Sequence, residues 1–183
     1  MLTLNFTPFP TLTTERLLLR QATPDDVEQI FFLRSDRNVL KYIGKKPVQT
    51  MQEAEDWIKL VNTNVENNEA INWSIAFKNE PTLIGNICFW RIQKDHYRAE
   101  IGYTLHTAHH RKGIMNEAMK AVIKYGFEEM KLHSIEGRVN PANEPSIKLL
   151  EKNGFVREAY FKEDYYFDGK FGDTGVYSLL AKS

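Results

Sequence analysis

The spacing of hydrophobic positions divides the chain into segments with helical and with extended periodicity. Apolar residues recur every three or four positions over 51–65 and 113–130, which predicts two amphipathic helices. Thr50 begins a capping box before the first of them. A helix is also predicted after Thr23-Pro24, and a short one over 145–152, because a proline in the first turn is typical of a helix start.

Alternation of apolar and polar positions, or short apolar runs between turns, predicts strands in other segments. These segments are 15–20, 73–77, 82–91, 97–105, 133–139, 155–167 and 174–181. The turn at 79–81 predicts one hairpin and Asp168-Gly169-Lys170 a second. Within 97–105, one face carries Glu100, Gly102 and Thr104, and the other carries Ile101, Tyr103 and Leu105.

The order of these elements indicates an α+β fold. It runs as one strand, two helices, three strands, a helix, a strand, a helix and two strands. A βαβ unit over 97–139 within an otherwise antiparallel arrangement predicts a mixed, mostly antiparallel sheet of about seven strands with helices on both faces. The length favours a single domain over 1–183, in which residues 1–13, with two prolines and little periodicity, form an N-terminal arm.

Composition and charge exclude several classes of protein. Lys+Arg and Asp+Glu number 24 each, so no net field draws the chain to a nucleic acid or an anionic membrane. The single cysteine, Cys88, excludes an internal disulfide and a cysteine-based zinc site. No run approaches the roughly 18 apolar residues of a membrane span, and residues 1–10 lack the features of a signal peptide. We therefore expect a cytoplasmic protein without a membrane or direct nucleic-acid partner.

Candidate chemistry lies at two junctions between a strand and a helix. Residues 109–115 precede the longest predicted helix, where free backbone N–H groups and the positive helix end favour a phosphate group. This segment lacks the glycine spacing of a Walker loop or a dinucleotide fingerprint, and a solvated basic loop is an equal alternative. Residues 140–146 precede the next helix, and Asn143 and Ser146 there are typical of helix capping. Both junctions should open on the same edge of the sheet, where ligands of α/β sheets bind.

With these residues in place, the sequence resembles the GCN5-related N-acetyltransferases (GNAT), most closely their RimJ/RimL-like branch, which acetylates protein N-termini. The similar segments cover nearly the whole chain, and their order and spacing make the resemblance specific. They are Leu12-Thr13-Thr14-Glu15-Arg16-Leu17-Leu18-Leu19-Arg20, Ala99-Glu100-Ile101-Gly102-Tyr103, Lys112-Gly113-Ile114-Met115-Asn116-Glu117-Ala118, Asn143-Glu144-Pro145-Ser146, Gly154-Phe155 and Tyr177-Ser178-Leu179-Leu180.

The resemblance implies that acetyl-CoA is the cofactor and binds in a V-shaped cleft between the strand ending near Leu105 and the strand at 133–139. Its pyrophosphate would lie on the loop formed by His110, Arg111, Lys112, Gly113, Ile114 and Met115. Relatives carry Gln/Arg-x-x-Gly-x-Gly/Ala in this loop, so His110 and Met115 depart from the pattern. Contacts from backbone N–H groups would tolerate both departures.

The resemblance also implies how the thioester is held. Backbone groups of Tyr103, Thr104 and Leu105 would align it, and the N–H of Leu105 would be the oxyanion donor. Asn143 would bind the pantetheine arm.

Two further residues are candidates for the proton transfers. Glu100, on the inward face of the central strand, would accept a proton from the substrate amine, although a carboxylate hydrogen-bonded to a neighbouring helix is an equal alternative. Many relatives protonate the thiolate with a tyrosine at the position of Leu150, which cannot donate a proton. The RimJ/RimL-like branch implies Ser146 instead, with a modest contribution because an aliphatic hydroxyl is a weak acid.

Three other features favour structural interpretations. No carboxylate or thiol stands at ligand spacing from His106, His109 and His110, so we expect no metal. Cys88 should be a packed residue. The aromatic residues over 160–171 should pack in the core or form a wall of the substrate cleft.

We therefore expect an N-acetyltransferase that moves the acetyl group of acetyl-CoA to a primary amine, in the first place the α-amino group of a protein N-terminus. A small-molecule acceptor (polyamine, aminoglycoside or amino acid) is an alternative. A catalytically idle acyl-CoA-binding module is another, because Leu150 and the irregular loop would permit it.

Overall fold

The structure, a computed structural model, describes residues 1–182 and contains an eight-stranded sheet. The strands are β1 (Leu12–Thr13), β2 (Leu17–Arg20), β3 (Ile71–Phe77), β4 (Glu80–Gln93), β5 (Arg98–Leu105), β6 (Ser134–Val139), β7 (Val156–Phe167) and β8 (Lys170–Leu180). The helices are α1 (Val27–Ser35), α2 (Arg37–Leu40), α3 (Met51–Glu66), α4 (Ile114–Glu128) and α5 (Glu144–Lys152).

The strands lie in the order β1-β2-β3-β4-β5-β6-β8-β7. The pair β5–β6 is parallel, and the six other pairs are antiparallel. The predicted α+β fold with a mixed, mostly antiparallel sheet is thereby confirmed. The strand beyond the predicted seven is β1, in which Leu12 pairs with Leu19 and Thr13 with Leu18. Two residues are too short a stretch to show an alternating pattern.

Residues 1–13 pack against the sheet along much of their length. Leu2 and Phe6 are buried in the main core. The indole Nε1–H of the fully buried Trp73 donates to the carbonyl of Pro10 at 2.7 Å. The arm lacks periodicity because its shape follows from contacts with distant parts of the chain.

Helices cover both faces of the sheet, as predicted. One face packs against α4 through a large cluster that includes Met119, Trp73 and Phe89. The other face packs against α1 and α3 through a smaller cluster that includes Ile30 and Ile58. In the part of the chain that the structure describes, no helix is long and apolar enough to cross a membrane.

The parallel strands β5 and β6 are paired over three residues and then part. Their last paired residues are Glu100 and Glu136. Beyond them β5 continues to pair with β4 as far as Leu105, and β6 continues to pair with β8 as far as Val139. Since each strand stays with its outer neighbour, a wedge-shaped gap opens between them, and it is the V-shaped cleft that the sequence led us to expect.

The β7–β8 hairpin differs from the prediction in the placement of its aromatic side chains. Its turn at Asp168-Gly169 has φ values of 49° and 79°, as a two-residue hairpin turn requires. Most of its aromatic rings are exposed instead of packing in the core, namely Tyr160, Phe161, Tyr166 and Phe171. The physical reason is that β7 is the last strand of the sheet and has a neighbouring strand on one side only.

Gly126, inside α4, provides a test of the packing between that helix and the sheet. A Cβ atom at this position would lie 2.8 Å from Cζ of the buried Phe89 and 3.3 Å from Cδ1 of Ile135. Although alanine favours a helix by about 1 kcal/mol over glycine, we expect Gly126→Ala to lower the free energy of unfolding by about 1 to 2 kcal/mol because of this overlap. Urea denaturation measures the change.

The matched control is Lys120→Gly, which introduces a glycine at an exposed position of the same helix. It should cost about 1 kcal/mol through helix propensity alone. A Gly126→Ala protein more stable than the wild type would contradict the packing described.

Candidate active site

The gap between β5 and β6 exposes backbone groups of β5. The N–H of His106 donates to the carbonyl of Ile84 in β4 at 2.8 Å. Because successive N–H groups of a strand point to opposite sides, those of Tyr103 and Leu105 point away from β4 and into the gap. Nε2 of His110 lies 3.0 Å from the carbonyl oxygen of Leu105, at hydrogen-bond distance. The gap is therefore lined by polar backbone groups that a bound molecule can reach.

The loop before α4 presents its amide groups to solvent. Arg111 and Gly113 both adopt left-handed conformations, with φ values of 60° and 74°. The N–H of Glu117 donates to the carbonyl of Gly113, so the amides of the first helical turn precede the hydrogen-bond ladder of α4. The side chains of Ile114 and Met115 are buried, which leaves only their backbone for ligand contact. This geometry is typical of an anion site.

Three side chains at one end of this loop add positive charge or a hydrogen-bond donor. They are His110, Arg111 and Lys112, and all are exposed. The structure therefore contains both the amides and the charge that the sequence predicted at this junction.

A contact absent from the sequence analysis anchors this loop to the edge of the sheet. The guanidinium of Arg16 pairs with Glu117 at 2.7 Å and donates to the carbonyl of Lys112 at 3.1 Å. Thr14 also donates to Glu117. Partial desolvation alone would raise the pKa of Glu117, but the hydrogen bonds from Thr14 and Arg16 outweigh it and hold the pKa below its usual range. Arg16 and Glu117 belong to the segments that carried the family resemblance, which was the only signal for them.

On the side of the gap next to α5, two of the predicted site residues are in contact. The hydroxyl oxygens of Tyr103, on β5, and Ser146, in the first turn of α5, lie 2.6 Å apart. Asn143 caps α5, and its side-chain oxygen accepts from the N–H of Ser146 at 3.3 Å. Burial raises the pKa of Tyr103 to about 12, although its bond to Ser146 opposes the shift. The phenol therefore keeps its proton throughout the neutral range.

Leu150 is part of the core. Its side chain is 1% exposed. A Cβ atom on Gly137, in β6, would lie 2.9 Å from Cδ2 of Leu150, so the leucine side chain fills the space that the glycine leaves. Position 150 therefore serves packing between α5 and β6.

Glu100 lies on the opposite face of β5 from Tyr103. The residue is 9% exposed, and its carboxylate accepts from Nη1 of Arg91 at 3.1 Å. The partner is thus a residue of β4 and not of a helix. Arg91 adopts a left-handed conformation, φ 46°, at a register shift between β4 and β5. Burial raises the pKa of Glu100 and Arg91 partly opposes this effect, while the nearby Glu136 reinforces it.

A polar cavity of about 210 Å³ adjoins Glu100 on this face. Its lining residues are Arg91, Gln93, Arg98, Ala99, Glu100, Glu136 and Arg138. Glu136 pairs with Arg98 and, at 3.6 Å, with Arg138. Three guanidinium groups therefore surround two carboxylates, and each carboxylate has an arginine partner. These arginines carry no motif in the sequence, and the alternation of charged residues in β6 was the only available signal.

The surroundings of three other side chains, those of Thr104, Cys88 and His106, favour structural roles. The hydroxyl of Thr104 donates to the side-chain oxygen of Asn86, on the face away from Tyr103. Burial raises the pKa of Cys88 to about 12, so its thiol stays protonated and does not act as a nucleophile. The ring of His106 stacks on Phe32 at 4.2 Å between centroids.

The structure therefore groups the predicted site residues around the gap. The side of the gap next to α5 contains Tyr103, Leu105, Asn143 and Ser146. The loop at 110–115 follows the end of β5. Glu100 lies on the other face of the sheet. The side chain of Thr104 does not face the side on which Tyr103 and Ser146 meet.

Comparison with known proteins gives matches along nearly the whole chain. A family model described as an acetyltransferase (GNAT) domain matches residues 16–156. The uncharacterized N-acetyltransferase YoaA of Bacillus subtilis (strain 168) is 36% identical over 172 residues, which are 94% of this chain and 97% of the relative.

Two further relatives have named acceptors. The ribosomal-protein-serine acetyltransferase of Escherichia coli (strain K12) is 30% identical over 74% of this chain and 76% of the relative. The crystal structure of spermidine N-acetyltransferase from Vibrio cholerae, in complex with CoA and spermine, superposes with a TM-score of 0.80 at 26% identity. That match covers 90% of this chain and 95% of the other.

The burial of Glu100 and its ion pair with Arg91 can be tested through the pKa of Glu100. Carbon-detected NMR titration should place the pKa of Glu100 above its ordinary value of 4.5, and Arg91→Gln should raise it further because the arginine stabilises the ionised form. Since the native state then binds this proton more tightly than the unfolded chain, ionisation of Glu100 lowers stability as pH rises from 4.5 to the native value.

Arg157→Gln, which removes an exposed arginine of β7, is the control and should leave this titration unchanged. A wild-type pKa at or below 4.5, or no increase in Arg91→Gln, would contradict the environment described for Glu100.

Proposed function

Because the chain belongs to the GNAT acetyltransferase family, and is an acetyl-CoA-dependent N-acetyltransferase, we propose that its acceptor is the α-amino group of a protein N-terminus, as in the RimJ/RimL-like branch. The observation that carries this choice is the charge of the cavity beside Glu100, which is lined by three arginines and two arginine-paired glutamates.

The acceptor follows from this charge balance. A polyamine brings two or more ammonium groups, and each needs a carboxylate or another acceptor to offset its desolvation. In the lining described here Glu100 and Glu136 already have arginine partners, so additional ammonium groups would meet guanidinium groups. A peptide N-terminus brings one amine, and its carbonyl groups are acceptors for the arginines.

The rim of the cavity also suits a large acceptor. Arg138 of the lining reaches Asp164 in β7 at 3.2 Å and lies over the ring of Phe161 at 5.8 Å. The exposed aromatic side chains of the β7–β8 hairpin thus lie next to the cavity. In a polypeptide acceptor, the residues that follow the acetylated N-terminal residue would contact this surface.

Cofactor binding is assigned to the two junctions. The amides of Gly113, Ile114 and Met115, with the side chains of His110, Arg111 and Lys112, would hold the pyrophosphate at the positive end of α4. The side-chain NH₂ of Asn143 is not used in capping α5 and would donate to the pantetheine arm.

Within the gap, the acetyl carbonyl would accept from the N–H of Leu105, with Tyr103 and Thr104 supplying the strand backbone that aligns it. An amide in this position needs no reorganisation when negative charge develops on the carbonyl oxygen. Positioning of thioester and amine on either side of the strand supplies a large part of the rate.

Glu100 would be the general base. Its raised pKa brings it closer to the pH at which it must accept a proton from the ammonium group, directly or through water. Arg91 keeps the ionised form accessible in spite of burial. Ser146, on the other side of the gap, would hydrogen-bond the departing sulfur, and the positive end of α5 favours the thiolate that forms.

A thiol-release assay with acetyl-CoA and a panel of acceptors tests the acceptor class. We expect peptides with free N-terminal serine or alanine to give higher kcat/KM than spermidine, an aminoglycoside or free amino acids. Glu100→Gln should lower kcat/KM by about a hundredfold or more, the range typical of a general base. Glu158→Gln, at an exposed position of β7, is the matched control and should leave the rate unchanged.

Two outcomes would contradict the proposal. A higher kcat/KM for spermidine than for every peptide would assign a polyamine acceptor. Binding of acetyl-CoA without thiol release for any acceptor would assign an idle acyl-CoA-binding module.

Gly113 tests the pyrophosphate loop. A Cβ atom there would be 3.6 Å from the nearest heavy atom, Nη2 of Arg16, so a side chain fits without overlap. We expect Gly113→Asp to weaken CoA binding about tenfold or more, because its carboxylate would face the phosphates. Isothermal titration calorimetry with CoA measures the change.

Gly113→Asn is the matched control because it has nearly the same shape and also tolerates the left-handed backbone. It should retain most of the affinity. Equal affinities of Gly113→Asp and the wild type for CoA would contradict the assignment of the phosphates to this loop.

A further inference from the structure

A hydrogen bond between the side chains of Tyr103 and Ser146 joins β5 to α5 across the gap. The two hydroxyl oxygens are 2.6 Å apart and belong to residues 43 positions apart in the chain. Ser146 lies in the first turn of α5, and Tyr103 lies on the strand whose amides face the gap. The pair therefore stands beside the place assigned to the thioester.

We propose that Tyr103 is a positioning residue for acetyl transfer, which donates its phenolic hydrogen bond to Oγ of Ser146 and so directs the proton of Ser146 toward the sulfur of CoA. This inference rests on the function proposed above, since it requires Ser146 to act on the leaving group.

The direction of the hydrogen bond follows from the chemistry of the two groups. Two hydroxyls joined by one hydrogen bond place one proton between the oxygens and leave the other proton free. A phenol is a stronger donor than an aliphatic alcohol, so the shared proton is that of Tyr103. The free proton is then that of Ser146, and polarisation along the pair makes it a better donor than an isolated serine.

Burial supports the same arrangement. The pKa of Tyr103 is raised to about 12, so the phenol does not ionise at neutral pH and the direction of its bond to Ser146 does not change with pH. At position 150 on α5, the buried Leu150 supplies no phenol. In this chain a phenol on the central strand takes part from the other side of the gap.

The chemical step balances without a phenolate. Glu100 first takes a proton from the ammonium group and releases it through water to solvent. The amine nitrogen then forms a bond to the acetyl carbon, and the proton that it loses as the amide forms passes to Glu100. When the C–S bond breaks, its electron pair goes to sulfur, and the thiolate accepts a hydrogen bond from Ser146. Tyr103 and Ser146 keep their protons, and the proton on Glu100 returns through water to the thiolate or to solvent.

Tyr103→Phe removes one oxygen atom and is the variant of choice. With the best acceptor of the panel at saturation, we expect kcat to fall about fivefold to tenfold, the effect of one hydrogen bond in a site shielded from water. The KM for acetyl-CoA and the CoA affinity should change less than about twofold, because the bond matters when the sulfur becomes negative. The loss should be constant between pH 6 and pH 9.

A double-mutant cycle separates positioning from packing. Ser146→Ala should lower kcat at least as much as Tyr103→Phe, and the double variant should be no slower than Ser146→Ala alone. The matched control is Tyr125→Phe, which removes a phenol oxygen from α4 and should leave kcat unchanged. Melting temperatures and CoA titrations of all variants establish that the fold and the cofactor site are intact.

The outcomes distinguish a failure of the proposed function from a failure of the role assigned to Tyr103. If Ser146→Ala leaves kcat unchanged, the role of Ser146 in the proposed function fails. If Ser146→Ala lowers kcat and Tyr103→Phe does not, or if the two losses multiply, the assignment of Tyr103 fails while the proposed function stands. A loss confined to KM would also overturn it.

Discussion

Strands β5 and β6 pair over three residues and then separate, and this separation is the constraint on which the site depends. Beyond Glu100 and Glu136 each strand pairs with its outer neighbour, so the two strands stay apart as far as their ends. Backbone N–H and carbonyl groups that would otherwise be consumed in a ladder are left without strand partners. Such groups need other hydrogen-bond partners, and a thioester with its amide-bearing arm can supply them.

The pleat of β5 determines how the two proton-handling regions relate to this gap. Glu100 and Tyr103 are three residues apart and therefore lie on opposite faces of the sheet. The carboxylate that we propose as the proton acceptor is thereby separated from the hydroxyl pair that we propose to face the sulfur. An amine can approach from one face and the cofactor from the other, with the reacting carbonyl between them in the gap.

Charge is distributed locally in a chain whose formal net charge is zero. The loop before α4 concentrates basic side chains and free amides where phosphates would bind, and Arg16 with Glu117 ties that loop to the sheet. The cavity beside Glu100 is different, because each carboxylate in its lining is paired with a guanidinium group. Because exposed charges are screened over about 8 to 10 Å in physiological salt, the two regions can differ without a large overall field.

Sequence periodicity alone was sufficient for the elements whose pattern is local. The capping box at Thr50, the apolar stripe of α4 and the Asp168-Gly169 turn are read from neighbouring residues, and so is the division of Glu100 and Tyr103 between two faces. The expectation of an anion site in the loop at 110–115 also rests on neighbouring residues, because it follows from the position of the loop before a helix, and it stays a prediction.

Only the tertiary structure decided which distant groups meet. The bond between Tyr103 and Ser146 joins residues 43 positions apart, and that between Arg16 and Glu117 joins residues 101 apart. The pairing of Arg91 with Glu100 depends on a shift in strand register, and the exposure of the hairpin aromatics depends on β7 being the last strand. Strand order, register shifts and the divergence of two strands arise from packing over the whole chain, so they leave no periodic mark on any single segment.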